Sequence, residues 1–224
     1  MVPGTLGQLR TNVADMDIGD YIACDFTWSK PFSNLGKPLA VDEIPYTGLP
    51  DTNAVGFFYL VKVAKGLLVA DRIVINNINW TVLNTAKLIE GLPWSNENIA
   101  GVIRSLTGGV AYRDIYNIKA LTENNNGGWP KSNEYDRYIV NFPKEKIQGG
   151  SSLDDVFHWS VAGSFCRDTP ISGVIVGTTT ANHTYRVVRG KYSDNQLTEK
   201  GFGFGVYTTS YPTVGFRPVF EYEE

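Results

Sequence analysis

From Gly19 onward the apolar residues of this chain fall in short runs bounded by turn-forming residues, the pattern of mixed short strands with few helices. The stretches Asp20 to Phe26 and Phe57 to Ile75 are rich in Tyr, Ile, Val and Phe, and Lys65-Gly66 marks a hairpin turn within the second. Further strands are expected at Tyr185 to Arg189, Gly203 to Thr208 and Gly215 to Tyr222. Helical spacing shows in two places. Asn79 to Glu90 sets Trp80, Leu83 and Lys87 on one side and stops at Gly91, and Asn133 to Val140 supplies Tyr135, Tyr138 and Ile139 as a buried side. Between them Asn124 to Pro130 is a loop, and no internal repeat organises the chain. The expected class is α+β, with two helices set against an irregular antiparallel sheet and long loops.

The first residues carry a different pattern. Leu6, Leu9, Val13 and Met16 follow the spacing of one helical stripe, and Thr5 with Gln8 has the form of a capping box. Gly7 opposes a helix by about 1 kcal/mol relative to alanine, and so short a helix is unstable alone. Residues 1-18 are therefore expected to be an N-terminal arm attached to a domain spanning 19-224. Two alternatives stand for the arm: packing on its own domain, or an oligomerisation and docking element using the four apolar residues.

Composition narrows the partners. Hydrophobic residues make up 42% of the 224 and charged residues 19%, which supports a sizeable core and argues against disorder. A net charge of -3 without any Lys/Arg-rich run gives no basic surface for nucleic acid or an anionic membrane. No apolar run approaches the roughly 20 residues that span a bilayer, so membrane insertion is not expected, and Met1 to Asp20 lacks the pattern of a secretory signal. Cys24 and Cys166 show no metal or redox spacing and are expected as buried thiols.

Candidate chemistry is sparse. His158 lies in the apolar Val156-Phe157-His158-Trp159 and is expected to be packed, whereas His183 lies in a Thr/Asn-rich loop. Gly-x-Ser-x-Gly, His-Glu-x-x-His and EF-hand patterns are missing. No catalytic residue, metal or cofactor is assigned, and an enzyme is not expected. Gly201-Phe202-Gly203-Phe204-Gly205 lacks the following helix of a phosphate loop and suits a strand whose rings share one side. Asp154-Asp155 is expected in a solvated turn. Arg217, among apolar neighbours, should be buried and paired with a carboxylate or backbone carbonyls, with Glu134 and Asp136 as candidates.

A series of segments also resembles a known family. It opens with Gly19-Asp20-Tyr21-Ile22-Ala23-Cys24, then Gly56-Phe57-Phe58-Tyr59-Leu60 and Gly66-Leu67-Leu68-Val69-Ala70-Asp71-Arg72. Asn77-Ile78-Asn79-Trp80, Arg104-Ser105-Leu106-Thr107-Gly108-Gly109, and Trp129-Pro130 with Asn133 to Ile139 follow. His158-Trp159-Ser160, Arg186-Val187-Val188-Arg189-Gly190 and Gly215-Phe216-Arg217-Pro218-Val219 close it. In order, these segments are similar to lectin-like domains of bacteriophage tail-fibre, head-fibre and related virion proteins.

The resemblance implies a C-type-lectin-like fold and a fibre, tip or decoration role on the virion surface, after assembly in the host cytoplasm. It carries no calcium chemistry, since Glu-Pro-Asn, Gln-Pro-Asp and Trp-Asn-Asp are absent. Other virion proteins and a host cell-surface glycan or protein are the implied partners, and a homotrimer built on Leu6, Leu9, Val13 and Met16 is the implied assembly. The alternative is a calcium-independent carbohydrate-binding module of prophage or cellular origin. In either case the expected ligand-binding residues are Trp129, Asn182, His183, Tyr185, Tyr207 and Tyr211, as aromatic faces and hydrogen-bonding groups on loops.

Overall fold

Residues Tyr21–Thr27 and Val55–Ala64 pair antiparallel, with Tyr21 opposite Val61 and Thr27 opposite Val55. A seven-stranded sheet grows outward from this pair in the computed structural model, which describes residues 1–50, 53, 55–191 and 198–224. Its order is Leu9–Arg10, Tyr21–Thr27, Val55–Ala64, Leu67–Ala70, Val219–Tyr222, Ala100–Arg104 and Leu92–Ser95. Both faces are covered. Ile22, Cys24, Phe58, Leu60, Leu68 and Phe220 belong to one core cluster, which includes Phe165, Val188, Val214 and Phe216 of a second sheet. The alternating Tyr21, Ala23, Tyr59, Val61, Val69 and Val219 belong to another cluster, with Tyr135, Ile139, Val156 and Phe157.

The second sheet has five strands, in the order Phe202–Val206, Tyr185–Arg189, Gly163–Phe165, Val214–Phe216 and Ile75–Asn76. Gly215 to Tyr222, expected as one strand, is split between the two sheets, and Arg217 sits at the crossing. It is buried, donating from Nε to Ser164 Oγ at 3.0 Å and from Nη1 to the Ala70 carbonyl at 2.8 Å. The acids expected beside it serve other arginines: Glu134 pairs with Arg104 at 2.5 Å and Asp136 with Arg189 at 2.5 Å.

These sheets correct the expected class. Among the described residues the structure is 33% strand and 11% helix, with several sheets and three short helices besides 3-10 turns, so neither α+β nor a two-helix C-type-lectin-like arrangement describes it. The first expected helix shrinks to Trp80–Thr85, because Lys87 takes a left-handed φ of 61°. The second is a π-helix, Tyr135–Val140. A third, Leu153–Phe157, begins at a true capping box: Ser152 and Asp155 satisfy each other's backbone N–H groups. Asp154 and Asp155 therefore belong to a helix rather than to a solvated turn. A three-stranded sheet (Gly128–Trp129, Ala111–Arg113, Lys119–Ala120) and the two-stranded Ile175–Val176 and Thr179–Thr180 complete the strands among the described residues.

The N-terminal arm does not form the expected helical stripe either, and its helical part is the single 3-10 turn Val13–Asp15. Gly7 runs against backbone, where a β-carbon would lie 2.1 Å from the Gly19 carbonyl oxygen. Leu9–Arg10 then adds in parallel to Tyr21 and Ile22. Val13 and Met16 are 4% exposed in the core, whereas Leu6 and Leu9 are 62% and 53% exposed, so the four never form one stripe. Among the described residues no helix is long and apolar enough to cross a membrane.

Two buried polar groups yield predictions. Arg189 and Asp136 are wholly buried, and Arg113, 3.6 Å away, is the other cation on the carboxylate. Arg189→Met should lower urea-measured stability by about 3 kcal/mol, because the carboxylate loses its close partner. The double variant Arg189→Met with Asp136→Leu should recover part of that loss.

His158 stacks on Tyr46, with centroids 3.7 Å apart, and its Nε2 lies 3.9 Å from Asp71. Burial first, then the Arg72 and Arg217 cations, push its pKa from 6.5 down to about 4. The unfolded chain therefore takes up this proton first. Stability is complete above pH 6.5 and falls by roughly 3 kcal/mol as pH drops toward 4. An imidazole NMR titration should show a midpoint near 4, and His158→Asn should flatten the acid limb of stability against pH.

Candidate functional site

The hairpin of Tyr185–Arg189 and Phe202–Val206 sorts the candidate residues onto two faces. Tyr185 lies opposite Val206 and Arg186 opposite Gly205, and side chains alternate along each strand. One face carries Tyr185 and Phe204, ring centroids 4.7 Å apart, and packs with Val187, Phe202 and Trp129 in a core cluster. The Gly-Phe alternation thus sets its rings on the inner side, as expected. Gly205 leaves the other face open to a ring: a β-carbon there would lie 2.8 Å from Tyr211.

On that second face Arg186 is held between two aromatic residues. Its guanidinium carbon is 4.4 Å from the Trp80 ring centroid and 5.2 Å from that of Tyr207. Each leaf has its own support. Trp80 opens the helix that the Asn79 side chain caps, and its indole N–H donates to the Cys166 carbonyl at 3.1 Å. The Thr81 N–H and hydroxyl donate to the Tyr207 carbonyl at 3.1 and 3.2 Å, and the Tyr207 N–H donates to Thr184 at 2.9 Å. Arg186 Nη1 donates to the His183 and Tyr185 carbonyls at 2.9 and 2.8 Å. Burial pulls the Arg186 pKa below its ordinary value.

Three of the expected ligand-binding residues gather here. Tyr207 forms a leaf of the stack, His183 is exposed, and the exposed Asn182 shapes the loop by accepting from the Thr184 N–H and hydroxyl at 2.8 and 2.6 Å. The other three serve structure. Tyr185 faces the opposite side, and Trp129 packs into the same cluster beneath the Lys119 ammonium, 5.9 Å from its ring. Tyr211 covers Gly205, and its hydroxyl accepts from the Val206 N–H at 2.8 Å. Trp80 and Arg186 were not among the expected site residues. The available signal was period two along Tyr185 to Arg189, which separates Arg186 from Tyr185 and makes it a diagonal neighbour of Tyr207.

Other chemistry is quiet. Among the described residues no group of three or more His, Cys, Asp or Glu is placed to hold a metal. Cys24 and Cys166 are free and buried, and burial pushes both thiols up, away from the reactive thiolate. A concavity of about 550 Å³ lies beside Phe142, Leu153 and Trp159, and none of the expected ligand-binding residues lines it.

The division of faces predicts how alanine variants melt. Trp129→Ala and Tyr211→Ala should each lose about 2 kcal/mol or more, as truncations of packed aromatics do. His183→Ala should stay within about 0.5 kcal/mol of the parent, as an exposed change does. Thermal unfolding of the three variants checks this order.

No family model, no curated protein and no solved structure matches this chain.

Proposed function

We propose that the protein is a structural component of a bacteriophage particle, a fibre, tip or decoration protein whose Trp80–Arg186–Tyr207 surface binds a host receptor or a neighbouring virion protein. The observation that carries this is the locked stack itself: two amphipathic rings and a guanidinium that meets no carboxylate among the described residues, the residue types that dominate binding energy at interfaces. The exposed Asn182 and His183 beside it add polar groups for orientation. The ordered resemblance of segments across the chain supports the virion setting. The activity proposed is binding, without a catalytic step, on the outer surface of the particle.

A homotrimer of the kind expected for fibres would draw on Leu6 and Leu9, the two of the four expected stripe residues left exposed. A calcium-independent carbohydrate-binding module would use the same surface, and the exposed hydroxyls of Thr208, Thr209 and Ser210 favour that second reading for a free protein.

Two measurements separate these readings. Antibody labelling of purified particles should place the chain on the virion. Free protein should compete with particles for host cells, and Tyr207→Ala should cut that competition about tenfold, as expected for loss of an interface aromatic. Absence from particles, with binding to neutral sugars intact, would instead select the free module.

A further inference from the structure

Several of the protein's arginines are neutralised by neighbours. Arg72 meets Asp71 and Glu43, Arg104 meets Glu134 and Glu221, and Arg189 meets Asp136. Arg186 is held as firmly and meets no carboxylate among the described residues. Its guanidinium carbon lies 4.4 and 5.2 Å from the two ring centroids, and two backbone carbonyls tie down Nη1. Nε and Nη2 retain donors without a partner among the described residues.

A guanidinium in this state has already lost its rotamer freedom. An oxyanion arriving in its plane gains charge-assisted hydrogen bonds without ordering a flexible side chain. We infer that Arg186 is the docking point for a carboxylate or phosphodiester on a hydroxyl-rich chain, that is, for an acidic cell-surface polysaccharide or polyol phosphate. This rests on the surface proposed above as the binding surface and adds the chemistry of its ligand. The neighbourhood favours such a carrier over an acidic peptide. Asn182, Thr208 and Ser210 are exposed and offer amide and hydroxyl groups to a polyol. Beside the stack, the helix that carries Trp80 exposes Val82 to 38%, whereas the more exposed apolar group of Ile115, Tyr116 and Ile118, better suited to anchoring a peptide, belongs to a different hairpin.

The test titrates glucuronate, glycerol phosphate and neutral glucose into the isotope-labelled full chain, following the Arg186 Nε–H and Trp80 indole N–H by NMR. Both anions should shift these signals saturably and glucose should not, with added salt weakening the effect. The tighter anion identifies the source, carboxylate or phosphodiester. Arg186→Gln should weaken binding about tenfold. Because that change also opens the stack, Thr208→Asp is the second variant: it leaves the stack in place, sets a carboxylate beside Tyr207, and should give a similar loss. No saturable shift with either anion, or parental affinity in a folded Arg186→Gln protein, overturns the inference. An oligoglutamate peptide binding more tightly than both anions overturns the polysaccharide assignment. Host adsorption absent while anion binding persists would end the receptor reading and leave this one standing.

Discussion

The fold depends on a carboxylate that has no contact with water. Asp136, wholly buried, accepts from Arg189, from the Gly128 N–H at 2.9 Å and from Asn133 at 3.0 Å. Arg189 in turn reaches the Gly108 and Gly201 carbonyls at 2.7 and 2.8 Å and lies 4.5 Å from the Tyr135 ring. One ion pair therefore joins the π-helix, the three-stranded sheet and the five-stranded sheet. A buried pair gains little net energy over a hydrophobic contact but is costly to break, so it enforces one arrangement of these elements. Glu134, its neighbour, does the same locally, since its carboxylate takes Arg104 and the Thr107 N–H while its own N–H donates to the Thr107 hydroxyl. The motif segments at 104–109, 129–139 and 186–190 are thus bound into one polar network.

Strands were legible in the sequence and sheets were not. The large sheet is buried on both faces, so Phe57 to Val63 reads as a nearly continuous apolar run. Such a run announces a strand without saying which face meets which partner. The crossing at Arg217-Pro218 was hidden because the apolar pattern runs on through it, and a buried arginine that donates to a serine and a carbonyl leaves no pairwise signature. Helical spacing over 79–90 overstated the helix, since a left-handed Lys87 is invisible to periodicity. Leu153–Phe157 is too short for periodicity at all, although its Ser-x-x-Asp start was readable.

The candidate surface was half legible for a related reason. Asn182, His183 and Tyr207 stand out as polar and aromatic residues beside a strand. Arg186 is embedded in a Val-rich strand, and Trp80 stands far from it in sequence. They meet only through hairpin register, which places Arg186 across from a glycine that leaves room on that face. Trp129 and Tyr185 looked equivalent to Tyr207 by composition, and strand alternation sent them inward.

The crossing between sheets also orders events during synthesis. Val214–Phe216 lies between Gly163–Phe165 and Ile75–Asn76, and Val219–Tyr222 lies between Leu67–Ala70 and Ala100–Arg104. Both sheets thus keep an interior gap until residues late in the chain arrive. A nascent chain stalled before Val214 would expose two unfilled sheet interiors at once, each a template for pairing with another molecule. Such pairings join strands about 140 to 150 residues apart, as Gly215 with Asn76 and Val219 with Val69, and contacts of that separation are slow to form.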